Sequence, residues 1–149
     1  MNYYISVLKQ YAVFSGRARR KEYWMFTLIS TIISSIISAI VPSVGGLYSL
    51  LVLVPTLAVT VRRLHDTGRR GWWILYPAIT LLINVIVATI IFVSNDYSLM
   101  PLFSNFGGAF GFFFPPAIAL IILLVFMSQD SQQGENRYGP NPKEGGDTV

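Results

Sequence analysis

Arg62-Arg63-Leu64-His65-Asp66-Thr67-Gly68-Arg69-Arg70 is a charged island between two long runs, residues 23–61 and 71–95, that contain no Asp, Glu, Lys, Arg or His. A third such run covers residues 97–129. A hydrocarbon core about 30 Å thick is crossed by roughly 20 apolar residues of helix, so each run is long enough to hold a span. The whole chain agrees with this reading. Charged residues make up 12% of its 149 residues, where a soluble domain carries about 25%.

Pro and Gly punctuate the runs. Pro42-Ser43-Val44-Gly45-Gly46 divides the first into spans of about 23–41 and 47–64, with Pro55 expected to kink the second. Gly68 is placed to end that helix. A third span is expected over about 72–93 and a fourth over about 106–127, separated by a polar loop at 94–105. Pro115-Pro116 suits the first turn of a helix better than its middle. The first apolar run begins behind a basic segment and outlasts the 7–15 residues of a signal-peptide core, so it reads as a retained span.

The charges orient this arrangement. Lys9, Arg17, Arg19, Arg20 and Lys21 precede the first span; Arg62, Arg63, Arg69 and Arg70 lie between the second and third; Arg137 and Lys143 follow the fourth. All eleven basic residues therefore fall on one side of a four-span chain, with Asp96 the one acid opposite. The positive-inside rule makes the basic side cytoplasmic, and Trp24, Trp72 and Trp73 sit where its aromatic belt belongs. Tyr3, Tyr4, Val7, Leu8, Tyr11 and Phe14 recur at helical spacing, which predicts an amphipathic interfacial helix over about 2–14. The fold expected is all-α: a four-transmembrane-helix bundle with a short N-terminal interfacial helix. Residues 1–130 form one membrane domain in this reading, and 131–149 form a cytoplasmic tail.

The same composition restricts function. With no Cys and a single His, neither a thiolate metal site nor a His cluster is available, and no catalytic, metal or cofactor-binding residue and no cofactor is expected. No second base or nucleophile stands at a useful spacing from His65, so the chain does not read as an enzyme. The pI near 9.6 points to anionic lipid headgroups rather than nucleic acid, because the basic residues flank apolar runs. The candidate surface for lipid, a protein partner or a second copy is Arg17, Arg19, Arg20, Glu22, Arg62, Arg63, His65 and Asp66. On a helix Arg62, His65 and Asp66 share a face, where arginine forks suit phosphate and Asp66 orients one of them. The plainer reading is a charged stop with an Arg–Asp pair. Glu22 has two candidate partnerships, with Arg62 or Arg63 across helices or with neighbours such as Arg19.

Ser30, Ser34 and Ser38 form a small-residue stripe suited to close helix packing, and Asn84 is expected to bond across a helix interface. The alternative function is a small transporter or channel subunit acting as an oligomer. Ion coupling usually needs an ionisable group inside the bilayer, and none stands mid-span here.

Three motifs stand in order: Phe14-Ser15-Gly16-Arg17-Ala18-Arg19-Arg20-Lys21-Glu22-Tyr23-Trp24, then Arg62-Arg63-Leu64-His65-Asp66-Thr67, then Gly134-Glu135-Asn136-Arg137-Tyr138-Gly139-Pro140-Asn141-Pro142-Lys143. Together they resemble the small bacterial inner-membrane family of unknown function typified by YhaH and YhaI, over about residues 3–143. Residues 95–111 depart from it, being longer and richer in Phe and Gly. The resemblance implies the bacterial inner membrane as location and implies no activity. Its third motif suggests that residues 136–142 dock on the cytoplasmic face through Arg137 and Tyr138.

Overall fold

The computed structural model describes residues 3–94 and 106–144. Its regular elements are helices: α1 (Tyr3–Lys9), α2 (Arg20–Ile40), α3 (Pro42–Asp66), a 3-10 turn (Gly71–Ile74), α4 (Leu75–Ser94) and α5 (Phe106–Ser128). No strand forms among the described residues; Asn136 and Gly139 make an isolated bridge. The expected loop at 94–105, Asp96 included, lies outside the described residues but for its first position.

Three stretches are long and apolar enough to cross a membrane, Arg20–Ile40, Pro42–Asp66 and Gly71–Ile90; Phe113–Ser128 is a shorter apolar stretch. At 1.5 Å per residue α2 is about 31 Å long. Large aliphatic side chains lie bare along these helices, with Leu50 and Leu51 each 65% exposed and Ile40 75% exposed. A soluble protein rarely exposes contiguous apolar surface on this scale; a bilayer covers it. This is a membrane protein.

The turn between α2 and α3 is shorter than the glycines suggest. Only Val41 is extended (φ −138°, ψ 95°), and Pro42 occupies the first position of α3, where its missing N–H leaves nothing unsatisfied. Gly45 and Gly46 are therefore helical, and Gly45 serves packing. A Cβ there would overlap the Ser38 hydroxyl and lie 2.7 Å from the Ser38 Cα. The Ser30/Ser34/Ser38 stripe is thus the face on which α3 closes, with Ser34 Oγ and Ser49 Oγ 2.7 Å apart.

α3 runs unbroken through Pro55. Proline has no N–H for the carbonyl four residues earlier, which here belongs to Leu51. The Tyr11 hydroxyl donates to that carbonyl at 2.7 Å instead. This bond helps explain why the N-terminal helix ends at Lys9 rather than near residue 14. Gln10 bonds back to Ser6 and Val7, and the chain then turns, placing Tyr11 on α3. α1 itself rests on α2 and α3, with the Tyr4 ring stacked on Phe26 at 5.2 Å and its hydroxyl 2.9 Å from that of Tyr48.

The C-terminus of α3 closes as expected. Gly68 adopts φ +73°, its N–H bonds His65 O at 3.0 Å and that of Arg69 bonds Leu64 O at 2.9 Å, which is a Schellman motif. Pro115 and Pro116 lie in the middle of α5 rather than in its first turn. In α4, Asn84 Nδ2 turns back to Thr80 O at 2.7 Å and satisfies its own helix rather than bridging to another. Contacts gather the described chain into two compact units, residues 3–71 with 126–144, and residues 72–125.

Tyr11→Phe is expected to lower stability by about 1 kcal/mol, the usual net worth of one hydrogen bond. Pro55→Ala restores an N–H to Leu51 O, so Tyr11→Phe should cost much less in that background. A double-mutant cycle of unfolding in detergent reads the coupling; equal costs in both backgrounds would refute it.

Candidate functional site: a buried arginine cluster closed by the tail

Asp66, the last residue of α3, is fully buried. Its carboxylate accepts Arg17 Nε at 2.9 Å, Arg63 Nη1 and Ser131 Oγ at 2.7 Å. Two guanidiniums thus share one carboxylate, and removing that carboxylate leaves both buried without a counter-charge. The excess positive charge is met by carbonyls. Arg17 donates to Gln132 O at 2.6 Å, Gly134 O at 2.8 Å and Gly139 O at 3.2 Å. Arg63 donates to Met127 O at 3.2 Å and to Gln129 O, and Arg20 reaches Ser128 O at 3.2 Å. These last acceptors are the carbonyls that the end of α5 leaves without helical partners, at the negative pole of its dipole.

A second pairing joins Arg62 to Glu22 at 3.4 Å and to Gln10 Oε1, while the Arg62 carbonyl accepts the Ala18 N–H at 3.1 Å. Of the two partnerships open to Glu22, the structure forms the inter-helix one. The Arg62–Asp66 pairing suggested by helical spacing does not form: Asp66 takes Arg63, three residues back, together with Arg17. Nε and Nη2 of Arg62 are buried with no hydrogen-bond partner.

The remaining candidates hold the tail. Arg19 Nε donates to Pro142 O at 2.7 Å. His65 Nδ1 lies 3.2 Å from Gly16 O, and its ring stacks on Tyr138 at 3.7 Å and 5°. Asn136 Nδ2 bonds the His65 carbonyl at 3.0 Å. Arg137 lies over the Tyr138 ring at 4.7 Å and bonds Gly68 O at 3.2 Å. Residues 131–144 are therefore fastened to residues 3–71.

All eight candidate residues meet in one unit, but their accessibility differs from the sequence reading. Arg62, Arg63 and Asp66 are no more than 2% exposed, and the Arg17 side chain is 1% exposed. They face the protein interior, with every guanidinium nitrogen of Arg17 and Arg63 bonded to its own acceptors, so they do not form an open basic face. Gln10 and Ser131 entered the cluster unannounced, as did Tyr11 on α3 at Leu51. The one sequence signal was that Pro55 must strand a carbonyl, which calls for a donor without naming it. No group of three or more His, Cys, Asp or Glu suited to a metal ion occurs among the described residues.

Residues 11–140 match the family model described as a protein of unknown function, DUF805. The chain belongs to the DUF805 family. It is 39% identical to inner membrane protein YhaI of Escherichia coli K12 over 97% of this chain and 98% of that one. Inner membrane protein YhaH of the same organism is 34% identical over 96% and 98%. The uncharacterized protein YiiR is 34% identical over 62% of this chain and 56% of its own. No solved structure matches. The three motifs that carry the DUF805 resemblance meet in space: Arg17 with Asp66 and Gly139, Arg19 with Pro142, and His65 with Tyr138.

Asp66→Asn should destabilise the protein by about 3–5 kcal/mol, since it leaves Arg17 and Arg63 buried without a counter-charge. Thermal unfolding in detergent measures this, and a loss below 1 kcal/mol would show that the carbonyls alone suffice. The far end of the tail responds to acid. The Gly134 N–H, at 3.1 Å, and Asn141, at 2.9 Å, hold the Glu144 carboxyl below its ordinary range, and Lys143 does the same for Asp130. Depressed carboxyl values mean that these contacts contribute above the unfolded values, about 4.3 for Glu and 3.9 for Asp. They are lost as pH falls through the lower folded values. The Gly134 amide resonance should therefore be constant from pH 8 to 5 and move only below about pH 4.3; a midpoint at pH 6 would place the control elsewhere.

Proposed function

We propose that this chain is a non-enzymatic, four-span inner-membrane protein with both termini in the cytoplasm, and that its cytoplasmic rim binds anionic lipid headgroups. The observation that supports it is a division of labour among the basic residues. Arg17, Arg62 and Arg63 are turned inward, whereas Lys9, Arg20, Lys21 and Arg70 are exposed. These four stand at one end of the α2–α3 pair, where Ala18 N–H bonds Arg62 O. Exposed Trp24 and the bare side chains of Ile5, Val13 and Phe14 accompany them. Aromatic rings and long basic side chains together suit the headgroup layer. α5 (Phe106–Ser128) supplies the fourth span; with its 23 residues it is about 34 Å long.

The outer cations, not the inner arginines, are then the ones that meet the headgroups. Replacing Lys9, Lys21 and Arg70 together by Gln should remove about 1 kcal/mol each, weakening retention of phosphatidylglycerol roughly a hundredfold with unfolding unchanged. Native mass spectrometry from mixed phosphatidylglycerol–phosphatidylcholine nanodiscs reads this. Equal retention by the triple variant and the unaltered chain would return these cations to plain anchoring. An Arg62→Ala, Arg63→Ala variant, by contrast, should report loss of folding.

A further inference from the structure

α4 carries one amide among apolar side chains. Asn84 is the tenth of the 20 residues of that helix, about 15 Å from either end. Its neighbours in sequence are bare, with Leu82 58%, Ile83 54% and Val85 61% exposed. The threonines of α4 are satisfied within it: Thr80 Oγ1 donates to Pro77 O at 2.9 Å and Thr89 Oγ1 to Val85 O at 2.8 Å. Asn84 is satisfied only in part. One N–H of its Nδ2 goes to Thr80 O at 2.7 Å. A carboxamide also has a second N–H and a carbonyl with two lone pairs, and among the described residues nothing bonds either.

With α4 crossing the bilayer, as the reading above has it, this amide lies in the hydrocarbon, out of reach of water and of the ester and phosphate groups of phospholipids. An open polar group there calls for a polar partner on another helix. Thr80, Asn84 and Ala88, four residues apart, share one face of α4, and the small side chains on either side of the amide let a second backbone come close. Asn84 is half-buried and Ala88 exposed, and Pro77 is the one buried side chain among those described in α4. The stripe alone names no partner; the amide does. An N–H and a C=O on one fork complement an identical fork through two N–H···O bonds. All copies of the chain insert the same way round, because the same basic residues orient each of them. Two copies related by a twofold axis along the membrane normal therefore bring Asn84 to Asn84 at one depth.

We propose that the Thr80/Asn84/Ala88 face of α4 is a docking surface for a second copy of this chain, with the two Asn84 amides paired across the twofold axis. A lipid tail has no donor or acceptor to offer the amide, and an ion would find no charged group anywhere in α4. The surface rests on α4 spanning the membrane, as proposed above, and is independent of the basic rim.

The chain has no cysteine, so single thiols map the interface of the full protein in phosphatidylethanolamine–phosphatidylglycerol liposomes. Oxidation should link Ala88→Cys into a disulfide dimer. Ile86→Cys should stay monomeric, since Ile86 is 48% exposed but two residues on and so nearly opposite Asn84. Förster transfer between labelled copies, titrated against lipid, reads the dimer's dissociation constant. Asn84→Leu should raise it about three- to thirtyfold, the range for a hydrogen-bonded contact between membrane helices, and Asn84→Gln, which keeps the amide, should raise it less. Equal cross-linking at positions 86 and 88, or a dimer that Asn84→Leu leaves unaltered, overturns the proposal. So does a chain that is monomeric at every lipid ratio. Labelling of Asn84→Cys by a membrane-impermeant maleimide separates the causes. A reactive thiol refutes the spanning of α4 along with the surface, whereas an unreactive thiol with no dimer refutes the surface alone.

Discussion

A single carboxylate organises the polar half of this molecule. Asp66 sits where α3 ends, fully buried, and neutralises only one of the two guanidiniums that contact it. The uncancelled charge needs acceptors, and a protein interior supplies them as backbone carbonyls. Those carbonyls come from the end of α5 and from the loop that follows it. The position of the tail thus follows from electrostatics more than from hydrophobic burial. The tail segment 131–144 is built largely from Gly, Pro, Asn and Gln and has little apolar surface to bury, yet it is fastened at Gln132, Gly134, Gly139 and Pro142.

The same logic of stranded backbone groups operates at Pro55. In a bilayer an unpaired carbonyl has no water to turn to, and a proline in mid-helix creates one by construction. Tyr11 meets that need from the segment after α1. The ends of helices and their interruptions, rather than their apolar sides, decide where the non-helical parts of this chain go. Long lipid-facing helices tolerate many apolar substitutions on their outer faces, whereas each stranded carbonyl accepts only a donor of the right reach.

This explains which features were legible in the sequence. Uncharged runs of 39 and 33 residues, 23–61 and 97–129, announce apolar helices regardless of detail, and Gly68 announces a cap because few residues adopt φ +73°. The Pro42–Gly46 segment misleads, because proline and glycine serve as readily at the first turn of a helix and at a close contact as they do in a loop. Helical spacing similarly offered Arg62 to Asp66, and the structure chose Arg63 and Arg17, since an ion pair in a low-dielectric interior is set by which groups are buried together. The sequence draws attention to these charged residues but is silent on which way each side chain turns. Inward and outward arginines look alike on the page.

That ambiguity bears on how the DUF805 motifs are to be understood. Taken as strings, Arg17-Ala18-Arg19-Arg20-Lys21 and Arg62-Arg63 resemble a phosphate-binding surface. In space the same residues divide, with Arg17, Arg62 and Arg63 buried and Arg20 and Lys21 outside. The three motifs that carry the family resemblance coincide with the buried cluster, so they describe how that end of the α2–α3 pair is held together. A shared motif of this kind identifies a fold and leaves its use open. The specific chemistry of such a protein must then come from groups outside the motifs.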